Sequence, residues 1–389
     1  MGRIVIVGGG VTGSSTAYHL ALAGHADRVS VVEPDPTYAL AASPKATGGV
    51  RVLFSVPENI RMSLYGRDFY ADFDSRMAVG NEPAHVDFRR AGYLFMAGPG
   101  ADAEVLEACQ RVQTAEGARV LLLDRAGLRD RFPSLVVDDV EVAAWSPDDG
   151  YLDPHGVLMG FRRKAASLGV TYVQDRVVGI ETTGRRVRTV RLESGGTLDA
   201  DWVVNAANCW APEVCAMVGM RVPVAPMRRM NFWFECRTPL EPLPLVRHTG
   251  KAGGFRPEGT GYLSGYTRLD EPRGFNWEVE HDLFDTFIWP ALAQRVRAFE
   301  AVKVRRAWAC HYDQNDLDAN LIIGPWPGRL DNFLVACGLS GHGLMHAPAI
   351  GRALTEWMLG GRYETLDLTR LGYQRVVDGK PLAEAGAIS

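Results

Sequence analysis

The chain has 389 residues, about two to three domains' worth. Its 47% hydrophobic and 23% charged content suits a globular enzyme, and a net charge of −4 argues against nucleic acid or an anionic membrane as partner. No apolar run approaches the roughly 18 residues of a membrane span, and Cys109, Cys209, Cys215, Cys236, Cys310 and Cys337 form neither a C-x-x-C pair nor a zinc-spaced cluster, so neither a metal nor structural disulfides are expected.

The N-terminus carries the first strong pattern. Ile4-Val5-Ile6-Val7 reads as a buried parallel strand, and Gly8, Gly10 and Gly13 follow as G-x-G-x-x-G. A strand starting by about residue 3 leaves no room for a signal peptide, so a cytoplasmic protein is expected. Ser14 to Leu22 reads as a helix whose N-terminus can hold a pyrophosphate on free N–H groups. Gly8 permits the tight turn, Gly10 lets phosphate reach the backbone, and Gly13 lets helix and strand pack closely. The run Val29-Ser30-Val31-Val32 ends at Glu33, about 20 residues beyond Gly13, where a carboxylate can bind ribose hydroxyls. Strand, helix, second strand and acid agree on a dinucleotide, and an acid at 33 points to FAD or NAD rather than NADP.

Residues 41–51 are small and glycine-rich, a loop able to lie close to a ligand. Helical spacing follows over Pro57–Phe73, a strand over Val86–Ala97, a helix over Ala101–Ala115 and a strand over Val120–Leu123. Gly156–Leu168 reads as a helix, with strands at Val170–Val173, Val177–Glu181 and Val187–Leu192. A second buried run, Trp202–Ala207, ends in small residues. Pro226–Thr267, aromatic and broken by glycines, reads as antiparallel sheet. A helix at His281–Glu300 precedes strands at Val302–Tyr312, Leu321–Ile323 and Phe333–Cys337, and a helix at Leu344–Leu359 closes the chain. The expected class is α/β (α+β): a Rossmann-like domain assembled from 1–88, 146–225 and 325–389, with a mainly antiparallel β-sheet substrate domain from 89–145 and 226–324.

Over nearly its whole length the chain resembles the flavin amine oxidoreductases of the D-amino-acid oxidase and sarcosine oxidase superfamily. The likeness is strongest to the FAD-dependent oxidoreductase domain-containing branch, whose mitochondrial members are linked to respiratory complex I assembly. It rests on Ala42-Ser43 with Gly48-Gly49-Val50-Arg51, on Glu58-Asn59-Ile60-Arg61-Met62-Ser63, and above all on the C-terminal third. There Trp308-Ala309-Cys310-His311-Tyr312-Asp313 leads to Gly324-Pro325 and then Cys337-Gly338-Leu339-Ser340-Gly341-His342-Gly343.

The resemblance implies FAD, with the isoalloxazine at the domain interface. It carries the cofactor contacts onto Gly8, Gly10, Val11, Thr12, Gly13, Glu33 and Pro34, and onto Ala42, Ser43, Thr47, Gly48, Gly49 and Arg51. Further contacts fall on Val177, Ala206, Ala207 and Trp210, and on Cys310, Gly338, Leu339, Gly341, His342, Gly343 and Leu344. Asn208 stands where the family usually has glycine. N–H groups at the start of the last helix can face a negatively charged flavin edge; the alternative is a turn that only starts a helix. Cys310 matches the thioether position of monomeric sarcosine oxidase, which implies covalent FAD; the alternative is a small buried hydrophobe.

Sarcosine oxidases hold a small carboxylate with cations at positions occupied here by Phe54 and Met345. Together with Tyr312 and Tyr266 these suggest a roomier, more apolar substrate pocket, to which His346 could add one polar contact if it is not structural. Arg228 and Arg229 read as a solvated strand edge, with a cationic site near the flavin as the alternative that 2-hydroxy acids would use. The family's oxygen-activating lysine has no counterpart in Tyr262-Leu263-Ser264-Gly265-Tyr266, where Leu263 takes its position, so the acceptor is oxygen or an electron-transfer partner. Arg51, His342 and Tyr312 are the expected catalytic residues, acting through flavin electrostatics and positioning. The implied activity is oxidation of a C–N bond in a secondary or tertiary amine or an N-substituted amino acid. A 2-hydroxy-acid oxidoreductase and an assembly protein retaining FAD are the alternatives.

Overall fold

The computed structural model describes residues 2–249, 253–266, 268 and 270–385. Its first sheet has the strand order Ile322–Trp326, Leu330–Cys337, Trp202–Asn205, Ile4–Val7, Val29–Val32, Thr171–Val173. Ile4–Val7 lies inside, parallel to both neighbours, and all of it is buried. A strand covered on both faces needs an unbroken apolar run rather than alternation, and Ile-Val-Ile-Val supplies one. Only Ile322–Trp326 runs antiparallel; it spans the expected boundary at residue 325 and joins this sheet.

Because the remaining strands run one way, their carboxyl ends share an edge. Gly8 follows Val7, Glu33 follows Val32, Ala206 follows Asn205 and Gly338 follows Cys337. Open parallel sheets bind ligands at that edge, where successive loops diverge.

The larger sheet has the order Val302–Asn315, Val224–Cys236, Gly261–Tyr266, Phe255–Glu258, Leu245–His248, Tyr93–Ala97, Val142–Ser146, Leu121–Leu123. It is antiparallel except where Leu245–His248 runs parallel to Tyr93–Ala97. Among the described residues of 226–267 the antiparallel reading holds for the pairs that join Val224–Cys236, Gly261–Tyr266, Phe255–Glu258 and Leu245–His248 in turn; residues 250–252 and Thr267 lie outside the described residues.

Several elements depart from expectation. The strand expected over Val86–Ala97 is confined to Tyr93–Ala97, because positive φ at Asp87 and Gly92 breaks extended backbone before it. The helix expected at His281–Glu300 is a π-turn, Phe284–Ile288, then Trp289–Arg295 and a 3-10 turn, Arg297–Glu300. Pro290 donates no backbone hydrogen bond, which accompanies the π-turn before it, and the extended Val296 ends the helix ahead of Arg297. The strand Val142–Ser146 and the helix Arg125–Arg131, capped by Asp124 accepting from Gly127 N at 2.8 Å, have no counterpart in the sequence reading. Among the described residues, no helix is long and apolar enough to cross a membrane.

Three helices brace the shared edge. Val11–Leu20 and Pro57–Tyr70 both pack on Gly343–Gly360. Ser15 Oγ donates to Ala347 O at 2.8 Å, and Tyr70 Oη donates to Leu344 O at 2.5 Å. A Cβ on Gly351 would lie 2.6 Å from the Ser15 carbonyl carbon, and one on Gly66 2.1 Å from Met345 O. The start of Pro57–Tyr70 is capped from far along the chain, Glu384 accepting from Val56 N at 3.1 Å. Gly351→Ala therefore has to push two helices apart, at about 1–3 kcal/mol. A thermal unfolding scan should show a lowered Tm; an unchanged Tm would mean that the helices slide freely.

Candidate flavin and substrate site

Three cavities run in series from the shared edge of the first sheet to the face of the second. The outermost, about 280 Å³, is lined by Gly8, Gly10, Glu33, Pro34, Tyr38, Ala42, Ser43, Val177, Ala206, Ala207 and Trp210 among others. The next, about 70 Å³, is lined by Gly10, Val11, Thr12, Cys310, Tyr312, Asp313, Leu339, Gly341, Gly343 and Leu344 among others. These two share Gly10, Ala42, Ser43, Ala206 and Asn208. The innermost, about 20 Å³, meets the middle one at Ala46, Cys310 and Tyr312, and adds Thr47, Arg229, Arg247 and Tyr266 to its wall.

At the outer end the glycines do what their spacing implies. Gly8 has φ +97°, and a Cβ on Gly13 would lie 1.9 Å from Gly8 O. Gly10 precedes the helix and supplies no side-chain cap, Val11 N reaches only Ser43 Oγ at 3.4 Å, and a Cβ on Gly10 would meet that same Oγ at 4.0 Å. The helix's first-turn N–H groups thus have room for an anion. Glu33 Oε2 accepts from Gly9 N at 2.9 Å and Oε1 from Asp35 N at 3.0 Å. Burial pushes its carboxyl above the usual range despite those bonds. Asn208, in place of the family's glycine, has φ +51°, a left-handed conformation that asparagine tolerates.

The inner wall comes from strand register. Val224–Cys236 pairs with Val302–Asn315 so that Met227 faces Tyr312, Arg229 faces Cys310 and Asn231 faces Trp308. Alternation places these six on one side, with Arg228 and His311 on the other. Asn231 Nδ2 and Trp308 Nε1 both donate to Lys45 O, at 3.1 and 3.0 Å, tying the 41–51 loop to that side. Burial raises the Cys310 thiol to about 11, opposed by Arg229 and Lys45, and its Sγ lies 3.9 Å from Asn231 Nδ2. Asp313, fully enclosed at the middle cavity, is raised to about 7 by burial while its Oδ2 accepts from Leu339 N at 3.0 Å.

Some expected residues support the cavities instead of lining them. Gly48 has φ +76°, and Gly49 pairs with Tyr151, which directs Arg51 inward. Arg51 donates to Leu53 O, lies 3.9 Å from the Phe54 ring and approaches His342 Nε2 at 3.4 Å. Burial, then Arg51, drives the His342 pKa well below the ordinary histidine value, so it is neutral there. Gly338, at φ +70°, has no room for a Cβ, which would lie 2.9 Å from Asn315 Cβ.

Tyr266 and Tyr312 line the innermost cavity; Phe54, Met345 and His346 do not. Phe54 is wholly buried against Arg51, His342 and His346; Met345 is buried in the last helix. His346 Nε2 lies 2.9 Å from Ser63 Oγ, and burial lowers its pKa to about 3. Arg228 and Arg229 are buried rather than a solvated edge. Leu263 is buried beside Trp233, while its neighbours Gly265 and Tyr266 reach the innermost cavity. Arg247 went unnoticed in the sequence, since nothing local distinguishes it from other strand arginines.

The arrangement defines a dinucleotide-dependent oxidoreductase whose cofactor trough ends on a β-sheet wall. The residues fit FAD: an open helix N-terminus, an acid at the second strand, and a buried Tyr38 hydroxyl at the outer cavity with no partner among the described residues.

The chain belongs to the DAO family of FAD dependent oxidoreductases, whose family model matches residues 3–357. FAD is its cofactor. The chain is 35% identical to FAD-dependent oxidoreductase domain-containing protein 1 of Bos taurus, over 98% of this chain and 86% of that protein. It is 27% identical to 4-methylaminobutanoate oxidase (formaldehyde-forming) of Paenarthrobacter nicotinovorans, over 92% of this chain and 44% of that protein. L-proline dehydrogenase from P. horikoshii has the same fold, with a TM-score of 0.88 at 22% identity over 98% of this chain and 99% of that one.

Glu33→Gln should weaken FAD binding about ten- to a hundredfold, by removing charge from the hydrogen bonds at the ribose end. The measurement is fluorescence titration of apoprotein in a Cys310→Ala background, where no thioether can form. Unchanged affinity would place the ribose elsewhere.

Proposed function

We propose that this protein oxidises a C–N bond of a secondary or tertiary amine or an N-substituted amino acid. The observation that carries the proposal is the continuity of the trough, in which Cys310 and Tyr312 belong to both the middle and the innermost cavity. A group held in the innermost cavity would lie against the wall of the flavin site. Bound FAD would supply hydride acceptance and pass electrons to oxygen or another acceptor. The name of the 4-methylaminobutanoate oxidase supports amine chemistry.

The chain's own residues bind and position. Gly8, Gly10, Val11 and Thr12 would hold the pyrophosphate, and Glu33 the ribose. Ala42, Ser43, Ala206 and Ala207 enclose the nucleotide with small side chains. The N–H groups beginning Gly343–Gly360 would face the edge of a bound flavin, where the positive helix end favours negative charge. Arg51 adds a buried cation behind that edge, and the neutral His342 accepts from it. Tyr312 closes the wall. An amine bound in its neutral form needs no dedicated base, and none is assigned.

A second reading, oxidation of a 2-hydroxy acid, is favoured by Arg229 at the innermost cavity. Anaerobic mixing with secondary amines, N-alkyl amino acids and 2-hydroxy acids separates the two. Amines or N-alkyl amino acids should bleach the flavin absorption; bleaching by hydroxy acids alone would establish the second reading.

Cys310 is the proposed attachment atom for the flavin. The link replaces one S–H and one C–H bond with a C–S bond, releasing two protons and two electrons to the acceptor. Colour should remain with the denatured polypeptide, and mass spectrometry should find the added mass on the Cys310 peptide. Complete release of FAD from fresh protein would refute the link and leave the fold assignment intact.

A further inference from the structure

Four buried arginines of this protein, Arg228, Arg256, Arg295 and Arg375, meet carboxylates. Arg228 pairs with Glu271 at 2.6 Å and with Glu280, and Arg256 pairs with Glu258. Arg295 meets Asp139 at 3.0 Å and Arg375 meets Asp318 at 2.8 Å. Arg229 is as buried as these, 6% exposed, yet among the described residues it has no carboxylate partner. Its Nη1 donates to Arg228 O at 3.2 Å, its guanidinium lies 4.6 Å from the Tyr312 ring centre, and its Nε is buried with no partner. Arg247 lines the same cavity, and among the described residues no acidic side chain does.

An arginine side chain does not discharge by losing a proton. An unpaired guanidinium out of water is costly, and a second one nearby adds repulsion. An anion between them removes both penalties. The cavity that they border adjoins the flavin wall at Cys310 and Tyr312, so the anion belongs to the molecule that reacts there.

We propose that Arg229 and Arg247 anchor an acidic group of the substrate, holding its carboxylate at the eight-stranded sheet with the amine toward Tyr312. This rests on the amine-oxidation reading and narrows it to acid-bearing amines. The cations expected on the loop and the last helix are replaced by Phe54 and Met345, both buried away from this cavity. The anchor has moved to the strands, so the substrate lies with its acid end pointing the other way. One register step separates the two neighbours' fates: Arg228 turns to Glu271 and Glu280, Arg229 to the cavity.

The test uses FAD-loaded protein, anaerobically, with matched pairs: 4-methylaminobutanoate against N-methylbutylamine, and L-proline against pyrrolidine. Butanoate serves as a non-oxidisable acid, read by its perturbation of the flavin spectrum. Acids should bind about ten- to a hundredfold tighter than their matched amines. Arg229→Met should collapse that preference and abolish the butanoate perturbation; Arg247→Met should reduce both, and Arg229→Lys should restore part. A well-folded, FAD-loaded Arg229→Met that keeps the acid preference overturns the anchor, as does a wild type indifferent to every acid. If Arg229→Met does not fold, an unaltered preference in both Arg247→Met and Arg229→Lys is decisive against it. Butanoate binding lost in Arg229→Met, with no amine bleaching the wild type, would keep the anchor and overturn amine oxidation. Amine bleaching with an unaltered acid preference would do the reverse.

Discussion

The parallel pairing of Ile4–Val7 with Val29–Val32 and Trp202–Asn205 is the constraint on which the rest depends. Parallel strands end together, so loops separated by nearly two hundred residues leave from one edge. The glycine turn and Glu33, related by a local offset, meet there the Ala206-Ala207 turn, which no local sequence signal brings to them. Leu330–Cys337 extends the ladder and delivers the 338–343 loop to the same edge. Disrupting the pairing would separate every part of the cofactor trough at once.

The second sheet imposes a different rule. Its long antiparallel pair turns alternate residues to opposite sides, and a slip of one residue would exchange them. Arg229, Cys310 and Tyr312 share the trough side because Arg229 stands opposite Cys310, and Met227 opposite Tyr312. Lys45 O receives hydrogen bonds from Asn231 and Trp308, one from each strand, so the cofactor loop is attached to the pair that sets the register. The two sheets are thereby coupled at the point where cofactor and substrate would meet.

Burial then fixes the electrical character of the site. His342 and His346 are held neutral, Asp313 sits near neutrality and Cys310 is held as a thiol, all chiefly through loss of water. Arginine does not respond that way, because its proton is held too firmly. Fixed positive charge therefore remains among groups that have given theirs up, which makes the placement of each arginine decisive.

Much of the cofactor half was legible in the sequence, since its determinants are local. Gly8, Gly10 and Gly13 are required by backbone geometry within one strand, turn and helix, and Glu33 follows at a fixed offset. The buried strands announced themselves as apolar runs. The substrate half was not legible. Phe54 and Met345, judged by matched positions, lie in the core, because a position along the chain does not say which way a side chain turns. Adjacent arginines, identical as letters, part company through strand alternation, and Arg247 joins Arg229 only through sheet pairing across distant segments. By itself the sequence determined the dinucleotide cradle, whose geometry is closed by short-range backbone sterics. Only the tertiary structure decided which charges face the innermost cavity, because that depends on register and on carboxylates supplied from elsewhere in the chain.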